Sequence, residues 1–317
     1  MDYLRLFKKC ELCPRKCGID RTVPGSEKRA FCGQSYQLRV SYVGPHHGEE
    51  PPVSGKNGSG TVFFSGCSLK CTYCQNHQIS REGIGKITGV RELYEKIEEM
   101  ILTGGVHNIN FITPDHFFPY VFYLVTLVKE KGISIPVLLN TSGYQSIEML
   151  KQCESFVDIY LPDFKYSDCD LSMKLSGCRD YPQRAIDAIS EMLKQKGFLD
   201  SFEKGKSVAA KGVLVRHLIL PGNVENSKKA LDTMFLEFGA NLPLSLMSQY
   251  HPVIEHEDGN MNRFVSNEEF DAVYSHALDL GFKSMFVQYP DEYDVKARPN
   301  FLPDFNLESP FEGNKTE

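Results

Sequence analysis

Seven of the ten cysteines in this 317-residue chain fall into two groups whose spacing can do chemistry. Cys67, Cys71 and Cys74 stand on one short loop, in the run Ser65-Gly-Cys67-Ser-Leu-Lys-Cys71-Thr-Tyr-Cys74. Cysteine thiolates hold iron–sulfur clusters, and three of them on a short loop can wrap one face of a cubane. A 4Fe–4S cluster takes four ligands, so three leave one iron open, by the logic that marks a catalytic zinc site through its open position. An open iron can bind a small molecule through nitrogen and oxygen, and the amino and carboxylate groups of methionine offer both.

The second group is Cys10, Cys13, Cys17 and Cys32, spaced Cys-x2-Cys-x3-Cys-x14-Cys. Four thiolates are the right number for a closed tetrahedral zinc site or for a second Fe–S cluster. Zinc would staple a head that has little core of its own, whereas a cluster would serve electron transfer or substrate anchoring. The first pair has zinc-like spacing and Cys13-Pro14 echoes cluster loops, so both metals stay open beside the plain reading of free thiols. Cys153, Cys169 and Cys178 show no ligand spacing and read as small buried hydrophobes or loop thiols. The N-terminus carries no apolar signal core and no stretch approaches a membrane span, so a cytoplasmic, soluble protein is expected. In that compartment cysteines are metal ligands or thiols rather than disulfides.

These residues need a frame, and the chain alternates in a way that supplies one. Strands are expected at 61–65, 107–113, 135–140, 157–161, 212–220, 244–248 and 284–288. Helices are expected between them at 88–103, 116–131, 145–153, 182–196, 226–238 and 267–281. Leu93, Ile97, Met100 and Ile101 share a face of the first helix, and Ser266 with Glu269 forms a capping-box pattern before the last. Residues 44–60, rich in Gly and Pro, read as a loop. Strand–helix alternation of this kind argues for a parallel sheet with helices outside, and such sheets bind ligands at the carboxyl ends of their strands.

The Cys-x3-Cys-x2-Cys loop after a first strand, with Tyr73 just before the third cysteine, resembles the signature of the radical S-adenosylmethionine (SAM) superfamily. That resemblance implies a 4Fe–4S cluster on Cys67, Cys71 and Cys74, with SAM chelated at the unique iron and Tyr73 against its adenine. It implies reductive cleavage of SAM to methionine and a 5′-deoxyadenosyl radical, which abstracts hydrogen from substrate. Over nearly its whole length the chain is similar to the pyruvate formate-lyase activating enzyme-like branch, in particular the group with an N-terminal cysteine cluster. The segments that carry this include Cys10-Glu-Leu-Cys13-Pro-Arg-Lys-Cys17, Leu139-Asn140-Thr-Ser142-Gly143-Tyr144, Asp163-Phe-Lys165-Tyr166 and Val215-Arg216-His217. The fold implied is an α/β, partial (β/α)6 TIM-type barrel, open at one side. It would span 51–298, with a Cys-rich extension at 1–50 and a loosely packed tail at 299–317.

Where the superfamily often has Gly-Gly-Glu after the second strand, this chain has Asn110-Phe-Ile-Thr113-Pro114, so the carboxylate for the SAM amino group is missing and Thr113 is left to present polar groups. Asn140 and Ser142 end the third strand, within reach of the SAM carboxylate or ribose. Asp163 and Lys165 end the fourth, and a carboxylate beside an ammonium suits a zwitterionic ligand. Arg216 and His217 lie on the fifth, where alternation sends them to opposite faces, and His217 is read as the inward one.

Lys plus Arg total 35 against 41 Asp plus Glu, a net charge of −6. That balance disfavours a general nucleic-acid binder, and with it RNA modification. Expected partners are an electron donor such as flavodoxin or ferredoxin and a protein or peptide substrate, a glycyl-radical partner among them. A different class stays open beside the enzyme: a non-catalytic Fe–S or zinc scaffold, or an electron-transfer protein.

Overall fold

Ser59–Phe64 has every residue buried, the pattern of a strand covered on both faces. It opens the parallel part of the fold in the computed structural model, which describes residues 4–202, 207–290 and 302–311. The strands are β1 (Arg39–His46), β2 (Ser59–Phe64), β3 (Lys86–Ile87), β4 (Ile109–Ile112), β5 (Val137–Thr141), β6 (Ile159–Pro162), β7 (Gly212–Val213), β8 (Val215–Leu218), β9 (Leu244–Met247) and β10 (Met285–Val287). One sheet runs β3-β1-β2-β4-β5-β6-β7 and a second runs β10-β9-β8. The β7 and β8 segments are one strand interrupted at Leu214, and a parallel bridge between Asp163 and Arg216 ties β6 to β8. From β2 to β10 all pairings are parallel, while β1 is antiparallel to both β2 and β3. This is a partial TIM-type barrel of α/β class.

All seven expected strands and all six expected helices are present. The helix at Val90–Gly104 buries Leu93, Ile97 and Met100 against the sheet, and the capping box of Ser266 and Glu269 is made in full. Inside the barrel, Leu138, Ile159, Leu161 and Leu214 pack together. The alternate residues Leu139, Tyr160, Val213 and Val215 join the larger core under the helices.

Residues 44–60 are not a plain loop. They contain the end of β1 and a helical turn at Pro51–Ser54 whose Val53 fills the barrel's amino-terminal mouth with Leu138, Ile159 and Leu214. Gly44-Pro45 hides the strand from any period-2 reading, yet proline is tolerated there because pairing on this flank of the sheet is short. β1 lies within 1–50 and pairs with β2, so this part of the extension shares the barrel's sheet. Within the tail, Phe305 is buried against Phe63, and Phe311 packs on Phe63, Tyr42 and His46. The boundary at 298 lies outside the described residues.

Candidate functional site

Because β2, β4, β5, β6 and β8 run parallel, the residues that follow them gather at one end of the barrel. Cys67, Cys71 and Cys74 come directly after β2, with Cys67 and Cys71 buried and Cys74 half-buried. The loop is held by its backbone and by its neighbours. Leu69 N–H donates to Cys67 Sγ at 3.4 Å, Thr72 N–H to the Leu175 carbonyl at 2.9 Å, and Ser176 Oγ–H to Cys71 Sγ at 3.1 Å. Gly66 sits at φ +89°, and a Cβ there would fall 2.6 Å from the Cys32 carbonyl oxygen, so only glycine fits. Burial, and then the charges of Cys71 and Cys74, push the Cys67 thiol up to about 12. Thiolates form in such a place when a cation takes the proton's place, which is what cluster ligation does.

Thr113 follows β4 at φ +51°, an outlier for a β-branched residue, and its N–H donates to the Asn140 carbonyl at 2.9 Å. Asp163 and Lys165 follow β6, with Lys165 Nζ 2.5 Å from Asp163 Oδ2. Burial pulls the Lys165 ammonium down, but the Asp163 carboxylate and the Cys71 and Cys74 sulfurs outweigh it and raise its pKa. Lys165 is thus a fixed cation facing the cysteine loop. The Tyr181 hydroxyl donates to the Ser142 and Asp163 carbonyls, 2.9 Å from each, and accepts from Lys165 N–H at 2.9 Å. Gly143, at φ +77°, makes this approach possible: a Cβ would lie 2.1 Å from the Asp163 carbonyl oxygen. Tyr73 is buried against Tyr166 and Tyr250, and Tyr166 Oη is 2.7 Å from Ser176 Oγ. Burial holds the phenols of Tyr73, Tyr166 and Tyr181 well above their ordinary pKa, so they stay neutral.

The barrel interior holds a charged group that the sequence reading did not single out. Arg216 Nε donates to Glu50 Oε1 at 2.8 Å, and Nη2 donates to Glu49 and to Glu50. Asn110 and Asn140 both donate to Glu49 Oε1, at 2.9 and 3.2 Å. Burial would raise the Glu49 carboxyl, but the Arg216 guanidinium wins and holds it below its ordinary value. Asn140 therefore points its amide toward this cluster.

Arg216 is the inward residue of its pair, not His217. Alternation places Arg216 with Leu214 in the interior and His217 with Val215 under the helices. There the His217 Nδ1 pairs with the Phe164 carbonyl at 2.6 Å and burial lowers the ring's pKa to about 4. Nothing in the local pattern of Glu49-Glu50-Pro51-Pro52 marks the two carboxylates as interior, since their partner lies far along the chain.

The four N-terminal cysteines lie beside the same loop, with Cys10, Cys13 and Cys32 buried and Cys17 half-buried. Arg15, between Cys13 and Cys17, donates to the Ser68 carbonyl at 2.9 Å and to the Ser176 and Gly177 carbonyls at 2.8 and 2.6 Å. It thereby satisfies the exposed end of the helix at Cys169–Ser176. Asp115 accepts from Ser68 Oγ and Gln145 Nε2, both at 2.9 Å, and burial raises its carboxyl to about 6. Among the described residues no three His, Cys, Asp or Glu side chains converge on one ion-sized point, so neither cysteine set is a preformed single-ion cage. Cys153 and Cys178 are buried and Cys169 is exposed. No helix among the described residues is long and apolar enough to cross a membrane.

Residues 61–232 match the Radical SAM superfamily. An uncharacterized protein of Methanocaldococcus jannaschii is 25% identical over 287 residues, which cover 88% of this chain and 75% of that one. The pyruvate formate-lyase-activating enzyme of Clostridium pasteurianum is 25% identical over 177 residues, covering 53% of this chain and 65% of its own length. Among solved structures, SuiB of Streptococcus suis bound to S-adenosylmethionine aligns with a TM-score of 0.48 at 12% identity, over 72% of this chain and 51% of that chain. HydG, a maturase of FeFe-hydrogenase, aligns at 0.49 and 15%, over 76% and 54%. The chain spans about half the length of these two structures.

Proposed function

The chain belongs to the radical SAM superfamily, and from that premise we propose that it reductively cleaves SAM at a 4Fe–4S cluster and abstracts hydrogen from a protein or peptide substrate. The observation that carries this reading is the meeting, at one end of the barrel, of three cysteines on a single loop with the fixed pair Asp163 and Lys165. The bound cluster and SAM supply, on one-electron reduction, the species that removes a hydrogen atom; the protein supplies place and surroundings.

Cys67, Cys71 and Cys74 would hold the cluster, leaving one iron for the amino and carboxylate groups of SAM. Lys165 offers its ammonium to a carboxylate, and Asp163 offers its oxygens to a hydroxyl or an amine. The twisted backbone at Thr113 turns its polar groups toward the same end, where the family's carboxylate is absent. Buried Tyr73, Tyr166 and Tyr181 keep water from the loop and donate hydrogen bonds without ionising. Beside Lys165, whose carbonyl accepts from Asn226 Nδ2 at 3.2 Å, a groove of about 570 Å³ lined by Asp168, Lys174, Asn223, Asn226, Lys229 and Glu269 opens to solvent. Its lining carries both signs of charge, as a polypeptide-binding surface beside the barrel would. The likeness to an activating enzyme makes a glycine on a partner protein the first substrate to try, with a flavodoxin or ferredoxin as electron donor.

The test is anaerobic reconstitution with iron and sulfide, reduction, addition of SAM and assay of 5′-deoxyadenosine. Production that disappears in the Cys67/Cys71/Cys74 triple-Ala variant supports the reading. A verified cluster that neither binds nor cleaves SAM would sink it.

A further inference from the structure

The barrel does not close on itself. β1, with the two-residue β3 beyond it, forms one edge of the strand series and β10 the other, and among the described residues no pairing joins them. Residues 302–311 follow β10 in the chain, yet they pack at the opposite edge. Phe305, only 5% exposed, clusters with Phe63, Ile79 and Ile112. Its ring centroid lies 5.4 Å from that of Phe63, and the Phe311 ring lies 4.4 Å from His46 and 5.5 Å from both Tyr42 and Phe63. Phe63 pairs with Ile112, and Ile112 with Asn140, whose amide reaches Glu49 inside the barrel. The segment therefore sits in the open side, against the inner face of β1, β2 and β4.

This face adjoins the cysteine loop. Phe63 is four residues before Cys67, and Ile112 directly precedes Thr113. Gln78, four residues after Cys74, is the polar anchor of the segment. Its Nε2 donates to Asp304 Oδ1 at 3.2 Å, and its Oε1 accepts from Phe305 N–H at 2.7 Å. The carbonyl of Ile79, which packs against Phe305, accepts at 2.8 Å from the N–H of Gly66, the residue before Cys67. Whatever occupies this face is a neighbour of the loop.

The segment satisfies its own backbone. Asp304 N–H donates to the Pro310 carbonyl and Leu307 N–H to the Asp304 carbonyl, both at 3.0 Å. Asn306 N–H and Nδ2 both donate to Asp304 Oδ1, at 3.0 and 2.9 Å. Among the described residues no hydrogen bond joins residues 303–311 to a strand. Phe305, Phe311 and the Gln78 amide anchor it, in a cluster separate from the main core. Its departure breaks no ladder bond of the barrel and uncovers Tyr42, Phe63 and Ile112 together, and a contiguous apolar face of that kind marks an interaction site.

We propose that this face is the docking surface for the polypeptide substrate, and that residues 302–311 are its built-in occupant, displaced when a partner presents a turn carrying two aromatic side chains. The tail shows what the face accepts: two phenyl rings six residues apart on a self-bonded turn, with a carboxylate against Gln78. A partner segment of that chemistry meets the same rings and the same amide, and arrives beside the Cys67 loop. Tethering gives the tail an effective concentration on the order of millimolar. Only a partner with further contacts elsewhere on the surface outcompetes it, so the open side stays filled until the right polypeptide arrives. This rests on the reading above that the substrate is a polypeptide.

The test uses the full chain, reconstituted anaerobically, and a fluorescently labelled peptide of residues 302–311 as the probe. Phe305→Ser/Phe311→Ser vacates the face. That variant should bind the peptide at least about tenfold more tightly than the native chain, read by anisotropy, because the tethered competitor is gone. A peptide carrying the same two substitutions should bind neither chain. Benzoylphenylalanine at the first aromatic position of the peptide should photo-cross-link to the stretch from Phe63 to Gln78. Equal affinity of the two chains, binding by neither, undiminished binding of the substituted peptide, or cross-links confined to other regions overturns the proposal. Should the double variant fail to fold, Phe311→Ser alone, whose ring is half-buried in the native chain, should gain roughly threefold in peptide affinity. No gain there overturns the proposal as well. Binding is read without SAM, so the expected difference beside absent 5′-deoxyadenosine strikes at the cleavage reading alone.

Discussion

Replacing Arg216 with methionine would leave Glu49 and Glu50 facing each other inside the barrel with no cation. All three side chains are at least nine-tenths buried, at 10, 7 and 8% exposure, so solvent screening barely softens the effect. Breaking a buried ion pair by removing one partner costs about 3–5 kcal/mol, because the remaining charge stays buried and uncompensated. Here two carboxylates are left, so the upper part of that range is expected at pH 8. The pH dependence has a definite sign. In the native protein the Glu49 pKa lies below its ordinary value of 4.5, so its contribution is present above pH 4.5 and is lost as pH falls through the folded pKa. In Arg216→Met, burial without the cation raises the Glu49 carboxyl above that value, so the variant loses stability as pH rises. The deficit between the two should therefore be largest at pH 8 and narrow toward pH 5. Urea midpoints at both pH values measure it, and adding Glu49→Gln and Glu50→Gln should recover most of the loss at pH 8. A deficit independent of pH, or no recovery in the triple variant, would refute the assignment of these charges to one buried cluster.

Other consequences can be checked alongside. Gly143→Ala combines a left-handed backbone with a Cβ 2.1 Å from the Asp163 carbonyl oxygen; it should destabilise by about 2–5 kcal/mol, read from urea midpoints. Lys165→Met should retain native iron content yet raise the SAM dissociation constant roughly 10–100-fold, the worth of a charged hydrogen bond, as measured by equilibrium binding to the reconstituted protein. Glu269→Ala removes a capping box and the Arg263 and Gly222 contacts and should cost about 1 kcal/mol. Arg263 holds the Glu269 carboxyl near 2, so this contribution is present above pH 4.5 and lost as pH falls toward 2, and denaturant midpoints at pH 7 and pH 3 should show it shrinking. Cys71→Ala should lose both iron at the loop and SAM cleavage; retained cleavage with an intact cluster would refute the ligand assignment.

The parallel strands were legible because each is a short run of apolar or small residues between helices with a clear face, as at Ile97 and Met100. The loop cysteines were legible because their spacing is local. Glu49 and Glu50 were not, since they gain meaning only from Arg216, which no local pattern connects to them. Alternation narrowed the fifth strand to a choice between Arg216 and His217. Choosing His217 missed that the interior already held carboxylates in need of a cation. Arg15 and Arg21 carry no local mark of their roles, since their donors turn inward to carbonyls at Ser68, His116 and Gln34. The strand Arg39–His46 was hidden by Gly44-Pro45 and by mixed burial along its length.

The two buried carboxylates are made well before the cation that pairs with them. Glu50 and Arg216 are 166 positions apart, so the two carboxylates must wait, hydrated and mutually repelling, until β8 has been made. Loop closure over that span is slow compared with local helix formation. This charge cluster therefore depends on a long-range contact, not on any local element, for its completion.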